Sequence, residues 1–204
     1  MYNLIRFMIG CVLIVVLLII VNRSRATHKR LLRAFCILFS IVLMGISARF
    51  PVENLFITFH SPESAYAYYN LGKPDIQLVV EGEQSAMIVD NKNGVFSESY
   101  TKKSENGWKI GFVRETKVVY QEQTENYIIE VCQYKNTNDY YISVYGSHSK
   151  ELTISDNYNT EFFMLENHAF GTGTVYYSYY ACLDNYPSDY RIMVNSNEMN
   201  LEQQ

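Results

Sequence analysis

Two apolar runs joined by a short basic link constrain this chain more than any other feature. Phe7 to Val21 is an unbroken run of apolar residues and Gly. Reaching back past Arg6 to Leu4 brings it close to the ~20 residues that cross bilayer hydrocarbon. The second run, Leu31 to Phe50, carries Arg33 and Arg49 near its ends, where long basic side chains snorkel to the interface. Ser40, Gly45, Ser47 and Ala48 are small enough to admit a neighbouring helix. The pattern predicts a transmembrane α-hairpin over residues 1–50, with spans at about 4–21 and 31–50 and a loop at 22–30. A cleaved leader needs a small-x-small site after the first run, and Asn22-Arg23-Ser24-Arg25 stands there instead.

The loop contains Arg23, Arg25, Lys29 and Arg30, and short basic loops stay in the cytoplasm. A hairpin turned this way places both its ends outside. These four residues are the expected topology determinants of a multi-pass cell-membrane protein whose large domain faces outward, with the lipid bilayer as its first partner. Charge divides along the same boundary. Residues 1–50 hold seven Lys/Arg and no acid, whereas residues 51–204 hold ten Lys/Arg and all 21 acids, a balance of −11. An acidic domain repels phosphate backbones, which argues against nucleic-acid binding.

After residue 50 the periodicity changes. Ser61-Pro62-Glu63 reads as a helix start, with Ser as N-cap and Pro at the first helical position, and Gly72 as its stop. From Ile76 onward, apolar residues alternate with polar ones. Turn signals stand at Glu81-Gly82-Glu83-Gln84, Asn91-Lys92-Asn93-Gly94 and Asn106-Gly107. Further strands are expected at 117–123, 127–134, 140–145, 152–155, 161–165, 174–183 and 191–194. The expected fold is the transmembrane hairpin followed, over 51–194, by a mainly-β extracytoplasmic domain with one short helix. Its strands would form an antiparallel meander, sandwich or partly open barrel, ending in a polar tail at 195–204.

Cys11 and Cys36 fall inside the spans and read as small apolar residues. Strict alternation puts Cys132 on the face of Glu130, and Cys182 on that of Thr174 and Ser178. Two readings stand side by side: a disulfide between Cys132 and Cys182, or two unpaired thiols covered by other elements.

Candidate chemistry is sparse. Ser147-His148-Ser149-Lys150 and Ser155-Asp156-Asn157 match two motifs of penicillin-binding enzymes, but no Lys-Thr-Gly follows and Ser147 lies after a strand rather than at a helix start. His28, His60, His148 and His168 have no metal-ligand spacing. Asp90-Asn91-Lys92-Asn93-Gly94 misplaces the first ligand of a calcium loop. Gly171-Thr172-Gly173-Thr174 precedes a strand rather than a helix, so it does not read as a phosphate loop. Neither a cofactor nor a metal is expected. Tyr176, Tyr177, Tyr179 and Tyr180 put aromatics on both faces of one strand, which suits a strand covered on both sides better than an exposed recognition surface.

Phe50-Pro51-Val52-Glu53-Asn54-Leu55-Phe56, Phe59-His60-Ser61-Pro62-Glu63-Ser64-Ala65-Tyr66, Glu81-Gly82-Glu83-Gln84-Ser85 and Gly107-Trp108-Lys109 together resemble a family of two-span membrane-tethered proteins of low-GC Gram-positive bacteria. The resemblance covers residues 50 to about 112 and implies a bacterial envelope setting without an assigned activity. The expected function is a non-enzymatic extracytoplasmic binding, sensing or accessory domain, whose partner is another membrane protein or an envelope ligand. Two alternatives stand beside it: an envelope hydrolase with a site assembled from distant residues, and an immunity or assembly partner acting through the hairpin.

Overall fold

The computed structural model describes residues 2–23, 28–49, 51–70, 73–111, 116–147, 150–168 and 175–201, without the side chains at 2–6, 9, 29, 44, 47–49, 52, 167 and 168. The described chain forms two units, one over residues 1–57 and 69–72, the other over 58–68 and 73–204.

The first unit is built on helices α1 (Tyr2–Arg23) and α2 (Lys29–Arg49), which pack together, followed by a 3-10 turn at Val52–Leu55. Along α1 the covered positions are Gly10, Cys11, Ile14, Leu17, Leu18 and Val21, one stripe at helical spacing. On α2 they are Cys36 and Ser40, one turn apart. Branched side chains of α1 thus meet small residues of α2, but Gly45 takes no part: a methyl group added there would meet nothing within 4 Å. Away from the seam the apolar side chains stand open, with Phe7 57% and Leu31 73% exposed. Among the described residues no helix is long and apolar enough to cross a membrane. That statement does not extend to positions 2–6 and 9 of α1, whose side chains are not described.

The second unit is a stack of layers. Helix α3 (Pro62–Asn70) starts where expected. The Ser61 hydroxyl accepts the Ser64 N–H at 3.3 Å, and Ser64 Oγ accepts the Ser61 N–H at 3.2 Å, a reciprocal cap with Ser in the usual Glu position. Strands β1 (Ile76–Glu81), β2 (Ser85–Lys92), β3 (Val95–Ser104) and β4 (Gly107–Lys109) form sheet A in sequence order. The β2–β3 turn has Asn93 and Gly94 at positive φ, as a two-residue hairpin requires, and Asn91 Oδ1 accepts the Gly94 N–H at 2.7 Å.

Strands β5 (Thr116–Gln123), β6 (Tyr127–Tyr134), β7 (Asp139–Gly146), β9 (Phe163–His168) and β10 (Val175–Asp184) form sheet B, in the order β5-β6-β7-β10-β9. Strands β8 (Ile154–Asp156), β11 (Arg191–Val194) and β12 (Asn197–Asn200) form sheet C. Every named pairing is antiparallel.

Sheet B is the middle layer. Its Ile129, Val131, Ile142, Val144, Tyr179 and Ala181 pack with Tyr190, Ile192, Val194 and Leu201 of the sheet C side. Its opposite face carries Tyr134, Tyr141 and Tyr180, which pack with Val80, Met87 and Val89 of sheet A. The outer face of sheet A is closed by Ala65 of α3, which packs with Ala86 and Trp108. The tyrosine-rich strand β10 is therefore covered on both sides, and the architecture is a layered sandwich.

The C-terminus corrects the expected polar tail. Asn195 and Ser196 both take positive φ, and β12 folds back on β11. Leu201 is fully buried, its N–H donates to Tyr190 O at 3.1 Å, and its carbonyl accepts the Tyr186 hydroxyl at 2.6 Å. Leu201→Ala should cost about 3 kcal/mol by leaving a cavity at this closure. Urea denaturation of the full chain reads the loss, and a change under about 0.5 kcal/mol would return the segment to the status of a tail.

Candidate functional site

The polar groups that alternation points inward collect between sheets A and B. In β2, Ser85 shares the inner face with Met87 and Val89. In β3, Glu98 lies between Phe96 and Tyr100, both of which pack into the same core. These inward polar positions meet partners on β7, and two clusters result.

The first is centred on Asp139, itself 1% exposed. Its carboxylate accepts the backbone N–H of Glu83 at 3.1 Å, that of Gln84 at 2.9 Å, and the Ser85 hydroxyl at 2.5 Å. Ser85 Oγ also lies 2.8 Å from the Tyr141 hydroxyl. The β1–β2 turn is thus moored to the first residue of β7. Gly82 is needed for this approach, because a Cβ there would stand 2.7 Å from Asp139 Cγ.

The second is centred on Glu98. Its carboxylate accepts hydroxyls from Tyr145, from Ser143 at 3.0 Å and from Tyr100 at 3.3 Å. Glu130 and Cys132 of β6 complete the cluster, with the thiol donating to Glu130 Oε1 at 3.1 Å. Burial pushes the Glu98 carboxyl above the usual range; the hydroxyls oppose this and Glu130 adds to it.

Cys132 and Cys182 both pair with Tyr141, one from each side of β7. Two strand spacings of about 4.8 Å separate them, beyond the ~7 Å Cα separation a disulfide tolerates. Both thiols are free, which is the second of the two readings. Burial, then the nearby carboxylates Asp139 and Asp184, push the Cys182 thiol up to about 12. Burial and Glu130 push Cys132 up as well. Neither supplies a thiolate at neutral pH, so neither is an activated nucleophile.

The other sequence candidates are absorbed by structure. Asp156 Oδ1 accepts the N–H groups of Tyr158 at 3.0 Å and Thr160 at 2.9 Å, and Oδ2 accepts the Tyr190 hydroxyl at 2.6 Å. Burial would raise its carboxyl, but these hydrogen bonds outweigh burial and hold it below the usual range. It is a turn anchor, while His148 and Ser149 of the other penicillin-like motif lie outside the described residues. Asp90 pairs with Lys92 at 3.3 Å beside the β2–β3 turn. Residues 171–174 also lie outside the described set. Among the described residues no group of three or more His, Cys, Asp and Glu side chains is arranged to hold a metal ion. Of the basic topology residues, Arg23 ends α1 and Arg30 lies in the first turn of α2, both exposed; Arg25 and the Lys29 side chain are outside the described set.

No family model, curated protein or solved structure matches the chain.

Proposed function

We propose that the chain is an integral membrane protein whose α1–α2 hairpin holds a non-enzymatic β-domain outside the cell, for binding, sensing or as an accessory subunit. The observation that carries this reading is the exposure of apolar side chains around both helices, including Met8, Leu13 and Ile20 on α1 and Phe35, Leu38 and Ile41 on α2. Each would cost about 1.5–3 kcal/mol to leave in water rather than bury, whereas hydrocarbon accepts them without cost. At 1.5 Å per residue, helices of 22 and 21 residues are about 32 Å long, close to the thickness of bilayer hydrocarbon. The sequence run from Leu4 to Val21, interrupted by Arg6 alone, supplies the apolar length that the described side chains alone do not. The basic loop supports a cytoplasmic turn.

The non-enzymatic part of the reading is supported by the two clusters. Ser85 is fully buried and committed to Asp139 and Tyr141, and both thiols are held protonated. The test uses the full chain in its own membrane. It should resist alkaline carbonate extraction, and protease added outside wall-stripped cells should remove the β-domain. Release by carbonate would refute the anchor, and protection from protease would refute the orientation.

A further inference from the structure

Glu98 is a half-buried carboxylate between two sheets, with hydroxyls as its hydrogen-bond partners. It belongs to β3 of sheet A, and two of its three donors, Ser143 and Tyr145, belong to β7 of sheet B. The third, Tyr100, is on its own strand and has its ring 5.2 Å from that of Tyr141. From β6 the cluster receives Glu130, a second carboxylate, and the protonated thiol of Cys132. From β10 it faces Tyr180, fully buried and near enough to feel the Glu98 charge. The neighbouring β2 contributes apolar Met87 and Val89. Among the described residues no Lys, Arg or His forms an ion pair with Glu98. A largely desolvated negative charge beside a second carboxylate, with no ion-pair partner among the described residues, is costly, and the same carboxyl carrying a proton is not.

We propose that Glu98 makes the contact between sheets A and B a proton-operated latch, tight when the carboxyl is protonated and loosened when it ionises. The linkage has a definite sign. Opening the contact hydrates Glu98 and returns it to its ordinary range, while the closed contact holds the proton more strongly. Closure is therefore favoured in acid, and that advantage is lost as pH rises through the elevated range of the buried group. The Asp156 turn has the opposite sign, since its carboxyl is held low, and its contribution is lost only in stronger acid. The latch lies wholly within the β-domain, so its failure would leave the anchor reading untouched, and the reverse.

The test is amide hydrogen exchange on the full chain in detergent micelles, corrected for the intrinsic effect of pH. As pH rises above the ordinary carboxylate range, protection of β3 and β7 amides should fall, by at most about tenfold per pH unit, the limit for release of one proton. Glu98→Gln keeps the shape of the protonated acid and should make the profile flat. Tyr145→Phe, a milder change, removes one donor to the carboxylate and should extend the fall to higher pH. A flat wild-type profile overturns the proposal. So does an unchanged slope in Glu98→Gln, or, should that variant not fold, an unmoved profile in Tyr145→Phe.

Discussion

Asp139→Ala is expected to destabilise the β-domain by about 4 kcal/mol. The substitution removes the acceptor of three donors at once: the Glu83 and Gln84 N–H groups and the Ser85 hydroxyl. The two backbone donors lie on an exposed turn and can turn to water, whereas Ser85 is fully buried and keeps only Tyr141. A donor stranded in the interior costs about 1–3 kcal/mol, and loss of the charge-assisted bonds adds to it. Asp139→Asn preserves the shape but turns an NH2 toward one donor, and should cost roughly half as much. Trp108 is the sole tryptophan and packs beside Ala86, next to Ser85, so its fluorescence reports on this edge of sheet A. Urea denaturation followed at Trp108 should show a lowered midpoint with the slope preserved. If Asp139→Ala stayed within about 1 kcal/mol of the parent, the mooring of the β1–β2 turn to β7 would be incidental.

Local chemistry was legible in the sequence, and long-range arrangement was not. The α3 start, the two-residue Asn93-Gly94 turn and most strand limits follow from side chains acting within a few residues of themselves. The layering does not. The order β5-β6-β7-β10-β9 inserts β10 between β7 and β9, and no local signal specifies which strands become neighbours across 30 residues or more. The cysteine pairing is undecided by sequence for that reason: alternation places each on its face, but only the pairing order puts Tyr141 between them. The C-terminal strand was missed because Asn195-Ser196 reads as loop unless both residues are allowed left-handed backbone. Glu98 carried a usable signal that was passed over. Ser97, Ser99 and Thr101 alternate with Phe96, Glu98 and Tyr100, so the one carboxylate of that stretch falls on the aromatic, inward side. Asp139 offered no such clue, because an Asp next to an Asn-rich turn is commonplace in solvent.

Gly111→Ala should be more damaging than Gly45→Ala or Gly82→Ala, at a cost of about 4 kcal/mol or more. Gly111 follows buried Ile110 just after β4, and an added Cβ would overlap the carbonyl oxygen of Tyr100. That obstacle is backbone, not a side chain that can swing aside. Thr101 Cα stands only 3.1 Å from the same point, so β3 must retreat or the segment after β4 must detach. Retreat of β3 is resisted by its ladder to β2, which runs from Ser85↔Lys102 to Lys92↔Val95. Any shift also drags Tyr100, and with it one donor to Glu98 and the ring packed on Tyr141. Gly82→Ala meets a side chain instead, but one pinned by three hydrogen bonds, and should cost an intermediate ~2 kcal/mol. Gly45→Ala meets open space inside a helix and should be neutral or stabilising by up to about 1 kcal/mol. The expected order of urea midpoints is therefore Gly45→Ala, then Gly82→Ala, then Gly111→Ala. A Gly111→Ala protein as stable as Gly82→Ala would mean that β3 and the segment after β4 separate at little cost, and that the close approach of Gly111 to Tyr100 does not help to hold sheet A in place.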